Sequence, residues 1–439
     1  MIQSQFPHII SITYKKKRKE EITLKKRLAD PVVIVGAART PVGAYLGDLK
    51  TVPTEELGAI ALKEACRRAK VDITDIDEVV TGHVNGTQVH NNLSRVISLL
   101  AGCKIESTAM TVNRICGSGF QSAISAYQDL VLSDAKFVAA GGAESLSRAE
   151  YFLPLEARWK GFTSGDFKVL DANLEGHRCA QPRSLYPLIN HMGDTAEILV
   201  EKYAIPREDQ DKFAYDSQMK AKAAMENGRF AQEIIPVEIK DKKGNVTVVD
   251  KDGHPKPNTN LEALAKLKPA FRRDGKGTVT AGNASGLNDG AAYEIFTLES
   301  VAREKGLDVL AIMADYAVVG VEPSEMGIGP VPAIRKVLEN NNLTLEDIDI
   351  LEINEAFAGQ TLACLKELGN YIGTPLYERF NVHGGAVALG HPLGMSGARI
   401  LTSLCYEFLN NPDKKYAIGS ACIGGGQGIA VLLENPRAK

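Results

Sequence analysis

Thr74-Asp75-Ile76-Asp77-Glu78-Val79-Val80 follows a helical stretch, Thr54–Lys70, and reads as a turn running into a strand. The same phrase returns late in the chain, where the helix Pro332–Asn340 leads to Leu345-Glu346-Asp347-Ile348-Asp349-Ile350-Leu351-Glu352-Ile353. Beyond each copy lies a second correspondence. Cys116-Gly117-Ser118-Gly119 opens a helix, Ser118–Leu132, followed by a strand, Lys136–Ala140, and Gly141-Gly142. Gly390-His391-Pro392-Leu393-Gly394 opens the helix Ser396–Leu409, followed by the strand Lys415–Ser420 and the glycines 424–426. One short recurrence carries little weight. Two in the same order predict a duplicated α/β unit whose glycine turns, at the strand ends, face one shared cleft.

Outward from the repeat, the folded body opens at the buried-strand pattern Pro31-Val32-Val33-Ile34-Val35-Gly36. No Gly-x-Gly-x-x-Gly follows it, so a dinucleotide fingerprint is absent. Between the halves, Glu150–Phe271 breaks the βα rhythm and reads as an inserted subdomain that covers a ligand. Its sequel, Thr278–Gly290, is small and polar, which suits a backbone-lined groove. The division read from this is a basic arm over 1–30, a first half over 31–298 with the inserted loop domain at about 150–275, and a second half over 299–436.

The 439 residues, 44% apolar and 24% charged, are those of a soluble globular protein. Residues 1–30 carry eight Lys/Arg against three Asp/Glu, so the rest of the chain is acidic, and nucleic-acid binding has no support. That arm is expected to be solvated and disordered. Its basic residues follow the apolar Ile9–Ile12, the reverse of a secretory signal, and Glu20, Glu21 and the lysine bias count against a mitochondrial presequence. No run approaches the ~18 apolar residues of a membrane span. The seven cysteines are scattered without a Cys-x-x-Cys pair, which points to reduced thiols and away from disulfides or a zinc site. The expected location is the cytoplasm, or the mitochondrion if residues 1–30 act as a presequence.

Four glycine-bounded positions carry reactive side chains: Cys116, Asn354, His391 and Cys422. Cys116 stands at the start of a helix, where unpaired N–H groups and the helix dipole favour thiolate over thiol, and Gly117 and Gly119 are read as leaving room for a substrate. A thiolate takes an acyl group from a thioester, an imidazole accepts the thiol proton, and a second thiolate moves a carbon-bound proton. Asn354 and the N–H groups of Cys116 and Gly424 supply donors for an oxyanion. Each position has a bland alternative: core thiols for Cys116 and Cys422, backbone satisfaction for His391, a helix N-cap for Asn354.

The stretches Val112–Gly119, Gly142-Ala143-Glu144-Ser145, His191-Met192-Gly193, Ala281–Gly290, Asn354–Ala358, Gly384–Gly397 and Cys422–Gly428 together resemble the thiolases, most closely the acetyl-CoA acetyltransferases. The resemblance implies an α/β thiolase fold, with two βαβαβαββ halves in a five-layered αβαβα core and an inserted loop domain, assembled as a homodimer or homotetramer. It implies Cys116 as the acetylated nucleophile, His391 as its base and Cys422 as the acid/base on the second acetyl-CoA. Asn354, holding a water, joins His391 in one oxyanion hole, and the N–H groups of Cys116 and Gly424 form the other. Ser285, His191, Ala281, Phe357, Met192 and Leu287 fall at coenzyme A-binding positions. Coenzyme A is substrate and product, and no metal or redox cofactor is implied. The implied reaction is reversible condensation of two acetyl-CoA to acetoacetyl-CoA. The alternatives are a 3-ketoacyl-CoA thiolase of broader chain length and a non-catalytic acyl-CoA- or lipid-binding relative; a ketoacyl synthase would need a second histidine where Cys422 stands. The chain departs from the family pattern at Ala143, His383 and Gln427, the last replacing a common Met, and over a longer Arg148–Asn190 segment.

Overall fold

The computed structural model describes residues 28–86, 90–161, 168–178 and 180–438; the arm expected over 1–30 lies, up to residue 27, outside the described residues. In the first half, β1 (Val32–Arg39) is buried at every position and leads through α1 (Thr54–Ala69) to β2 (Glu78–Gly82). Then come α2 (Leu93–Ala101), β3 (Thr108–Val112), α3 (Ser118–Leu132) and β4 (Val138–Ser145). The intervening stretch carries α4 (Met192–Lys202), α5 (Arg207–Glu226) and two small two-stranded ribbons. The main sheet resumes with β5 (Asn288–Leu298). The second half supplies β6 (Ala311–Gly320), α6 (Pro330–Asn340), β7 (Ile350–Ile353), α7 (Ala358–Glu367), α8 (Ser396–Asn410), β8 (Tyr416–Ile423) and β9 (Gln427–Glu434).

Among the described residues these strands form one ten-stranded sheet, in the order β7-β8-β9-β6-β1-β5-β4-β2-β3, with the two-residue strand Gly43–Ala44 on β5. β2 runs parallel to β3 and β4, and β7 parallel to β8. Where the resemblance implies two stacked halves, hydrogen bonding continues across the junction of β1 and β6, through Val33 with Ile312 and Ile34 with Ala311. α3 and α8 pack on each other and on strands of both halves, while α1 covers β1 and β5, and α6 covers β6 and β9, on the sheet face turned away from α3 and α8. A helix buried this completely needs small residues where it crosses its neighbour. A Cβ on Gly119 would stand 2.6 Å from the backbone N of Ala398. Gly119 therefore makes room for α8, not for a substrate as the sequence suggests.

The repeat has a physical function. Asp77 Oδ2 accepts the N–H groups of Lys136 (2.8 Å) and Phe137 (3.2 Å), and Asp349 Oδ2 accepts those of Lys415 (2.7 Å) and Tyr416 (3.1 Å). Each aspartate pins the chain as it enters the strand that follows a central helix, so both helices are delivered with the same geometry. Their N-terminal turns, one beginning beyond Cys116 and the other beyond His391, meet in the middle of the molecule.

Candidate active site

Between β3 and α3 the chain turns so tightly that Ile115 adopts φ 47°. For a β-branched residue this left-handed backbone is strained, and it persists only where its surroundings hold it. Asn113 Oδ1 accepts the Ile115 N–H at 2.9 Å; Ser118 Oγ accepts the Arg114 N–H at 2.8 Å and donates to the Ile115 carbonyl at 2.7 Å. Cys116 is thereby lifted onto the wall of a cavity of about 500 Å³, where it is 9% exposed. A Cβ on Gly117 would stand 2.6 Å from Ile423 Cδ1, so this glycine too serves packing, against β8, and not substrate approach.

His391 lines the same cavity. Asn288 Oδ1 accepts its backbone N–H at 2.8 Å. The Ser396 hydroxyl donates to the Pro392 carbonyl at 2.9 Å, so at 2.5 Å from Nδ1 it acts as acceptor of the Nδ1–H. That leaves the ring's lone pair on Nε2, to which the Asn354 amide donates at 3.3 Å. Nε2 is thus presented as a base without a proton transfer inside the ring. Ser396→Ala would strand the Nδ1–H in a buried site and favour the other tautomer. The expected result is a fall in the rate of Cys116 acylation of about 10- to 100-fold, measured in a single turnover, with Ser396→Thr restoring most of it.

Asn354 is fully buried, and its own N–H donates to the Ser420 carbonyl at 2.9 Å. The helix after it begins only at Ala358, so the N-cap alternative is removed. Its Oδ1 accepts no hydrogen bond among the described residues. An orphaned buried acceptor beside an imidazole suits an ordered water. Cys422 lies in β8 rather than in a turn, wholly buried, packed with Met192, Ala356 and Phe357. It does not line the cavity; it sits behind Cys116, close enough for that sulfur to act on it electrostatically.

Burial pushes the Cys116 thiol up to about 11, against the pull of the Gly424 N–H directed at its sulfur and of its own N–H. Burial likewise pushes Cys422 well above the usual thiol range, with the neighbouring Cys116 and then Cys364 adding to the effect. The expectation of a thiolate at the helix start is overturned: loss of water outweighs the oriented N–H groups. Both thiols are protonated at rest, so the proton must leave as the sulfur attacks, and a base within reach is a necessity.

Of the residues expected to bind coenzyme A, Ser285, His191, Phe357, Met192 and Leu287 line the cavity. Ser285 donates through both its N–H and its hydroxyl to the Ala356 carbonyl, each at 3.0 Å. His191 caps α4, its Nδ1 accepting the Gly193 N–H at 3.3 Å. Burial and then the Arg178 charge hold it below the usual imidazole range, hence neutral. It lies against Phe271, centroids 4.6 Å apart, which meets Phe357 edge-on at 5.9 Å, giving one wall three aromatic rings. Ala281 is exposed at the turn that precedes this wall, and Ala284, which bridges to Phe357, lines the cavity itself.

Sequence reasoning missed Ser396 and Asn288, which orient His391, and Phe271. It also missed Glu144, whose Oε2 accepts the N–H groups of Val84 (3.0 Å) and Gly394 (2.9 Å) and so ties the His391 loop to the first half. Glu355 does a like service, accepting from Ser217, Asn381 and the Val387 N–H. A signal existed for the two glutamates, each standing inside a small-residue motif; Ser396 and Phe271 carried none.

The family model described as "Thiolase, N-terminal domain" matches residues 32–300, and that described as "Thiolase, C-terminal domain" matches 307–435. An acetyl-CoA acetyltransferase of Syntrophomonas wolfei is 45% identical over 408 residues, 92% of this chain and 98% of that one. One from Escherichia coli K12 is 45% identical over 403 residues, with the same coverage. Among solved structures, the Bacillus anthracis acetyl-CoA acetyltransferase aligns with TM-score 0.85 at 43% identity, over 93% of this chain and 100% of that one. Human mitochondrial 3-ketoacyl-CoA thiolase aligns with TM-score 0.85 at 42% identity, over 92% and 99%, and has also been solved in complex with CoA.

Proposed function

This chain belongs to the thiolase family, and from that membership we infer that it is an acetyl-CoA C-acetyltransferase, joining two acetyl-CoA into acetoacetyl-CoA and coenzyme A and catalysing the reverse thiolysis. The assignment of roles is supported above all by one observation: Cys116 and His391 share a cavity wall, with the Gly424 N–H aimed at the sulfur.

In the first half-reaction the Cys116 sulfur attacks the thioester carbonyl as His391 Nε2 takes its proton. The N–H groups of Cys116 and Gly424 hold the tetrahedral oxyanion, and coenzyme A leaves carrying that proton. In the second, the Cys422 thiol passes its proton to His391 Nε2, and the thiolate so formed removes a methyl proton from the incoming acetyl-CoA. The His391 imidazolium, now carrying Nε2–H, and the water held by Asn354 donate to the enolate oxygen. As the new carbon–carbon bond forms, the bond to Cys116 breaks, Cys422 keeps the methyl proton and His391 returns its proton to the departing Cys116 sulfur. Coenzyme A, acetyl groups and protons balance both steps. Ser285, His191, Ala281, Phe357, Met192 and Leu287 are assigned to coenzyme A binding, with Ala284 beside them on the cavity wall. The proposed assembly is a homodimer or homotetramer, supported by the unpaired outer edge of β3, which runs straight into the nucleophile turn. The proposed setting is the cytoplasm, a reducing compartment suited to two catalytic thiols; no helix among the described residues is long and apolar enough to cross a membrane.

One observation favours a second reading, a 3-ketoacyl-CoA thiolase of broader chain length. A recess of about 100 Å³ opens from Cys116 between Val84, Ile115 and Leu146, and shares Asn85, Ala172 and Gly176 with a groove of about 830 Å³ lined by Phe152, Leu153, Leu155 and Trp159 together with Glu150 and Arg158. Two measurements test the choice. Mass spectrometry of the Cys116 peptide after exposure to acetyl-CoA is expected to find the acetyl group there. Cleavage of acetoacetyl-CoA is expected to outpace that of a C8–C16 ketoacyl-CoA; a preference for the longer substrate would install the second reading.

A further inference from the structure

The nucleophile turn belongs to the first half of the chain and Cys422 to the second, and a direct side-chain bridge joins them. Arg114, two residues before Cys116, donates from Nε to Gln121 Oε1 at 2.7 Å and from Nη1 to Gln427 Oε1 at 2.9 Å. Gln121 stands on the first turns of α3, so one side of the guanidinium is anchored to the helix that carries the nucleophile. Gln427 opens β9 and pairs with Ile423, and Cys422 pairs with Gly428 in the same ladder. The three glycines between, two of them at φ 80° and 88°, form the loop that carries the Gly424 N–H. This loop has no side chain of its own and lies close against the backbone of Ala180 and Val321. On its far side the Gly426 carbonyl accepts the Val321 N–H at 2.8 Å. His391 is moored to the first half by other contacts, Asn288 to its own N–H and Glu144 to that of Gly394.

Resting on the thiolase reading of the site, we propose that the Arg114–Gln427 bridge is a positioning device that sets the separation of the Cys116 and Cys422 sulfurs. A planar guanidinium held in two directions transmits position; an apolar Met at 427, common in the family, accepts no hydrogen bond from it. The mooring of His391 is independent of this bridge. Loosening it disturbs carbon–carbon bond formation, which needs both sulfurs in register, more than acetylation, which needs Cys116 and His391.

The test separates the half-reactions in Gln427→Met, Gln427→Glu, Arg114→Met and the double variant. For Gln427→Met the expected result is single-turnover acetylation within about twofold of the parent, an unchanged KM for acetyl-CoA, and a condensation kcat lowered about 10- to 100-fold, the scale of a misplacement near 1 Å. Gln427→Glu, which keeps an acceptor for the guanidinium, is expected to recover condensation, and its recovery shows that the fold tolerates change at this position. The double variant is expected to be no worse than Arg114→Met alone, since the two groups act as one. Acetylation and condensation falling together, or neither falling, overturns the proposal. A parent protein that takes no acetyl group from acetyl-CoA refutes instead the reading on which it rests.

Discussion

Cys116→Ala is expected to leave no acetyl-enzyme at all after exposure to acetyl-CoA, and to lower thiolysis and condensation about 10⁴-fold or more, the loss typical of a deleted nucleophile. The expectation rests on access. Cys116 alone among the described cysteines lines the cavity, where a thioester carbonyl can reach its sulfur, whereas Cys422 and Cys364 are wholly buried. His391 remains in the variant, its lone pair still held on Nε2 by Ser396, but a base without the sulfur it serves has nothing to activate. The check is peptide mass spectrometry with steady-state assays on the same preparation. An acetyl group found on another cysteine of the variant would move the nucleophile elsewhere.

Cys422→Ala separates the two thiols. Acetylation of Cys116 is expected to persist, since its proton goes to His391 and its oxyanion donors are backbone groups. Condensation is expected to fall about 10²- to 10⁴-fold, the range contributed by a positioned general acid/base. Burial raises the Cys422 thiol well above the ordinary range, so its thiolate, once formed, is a strong base suited to a weakly acidic methyl group. That strength depends on a dry site; Met192 and Phe357 pack around the sulfur and exclude water. Alanine creates only a small void at a position where β8 is pinned by its ladder to β9, so the fold is expected to survive. A burst of coenzyme A release without acetoacetyl-CoA formation is the signature to look for. Equal loss of both half-reactions would show that the thiols do not divide the work in this way.

A large part of this was legible in the sequence because it depends on neighbours along the chain. Helix Ser118–Leu132 was expected at the bounds the structure shows, and the Asp-Ile-Asp phrase at 75–77 and 347–349 marks two strand entries where an aspartate does the same pinning. Glycine-bounded turns announced Cys116 and His391, since a reactive side chain at a helix start needs a tight approach that few sequences allow. What misled was the reason for the glycines. Gly117 and Gly119 are set by Ile423 and by the backbone at Ala398, groups 306 and 279 positions distant, and no local pattern could reveal them. Ala284 was missed on the cavity wall for a like cause: the register of its loop is set by its bridge to Phe357.

By itself, then, the sequence determined the order of elements, the duplication and the identity of the reactive side chains, all consequences of local periodicity and turn chemistry. Tertiary structure alone decided the state in which those side chains sit. Protonated thiols follow from the removal of water by segments far apart in the chain, and the imidazole tautomer from the serine that opens α8. Charge and proton position depend on everything within a few ångströms, and only folding brings such groups within that distance.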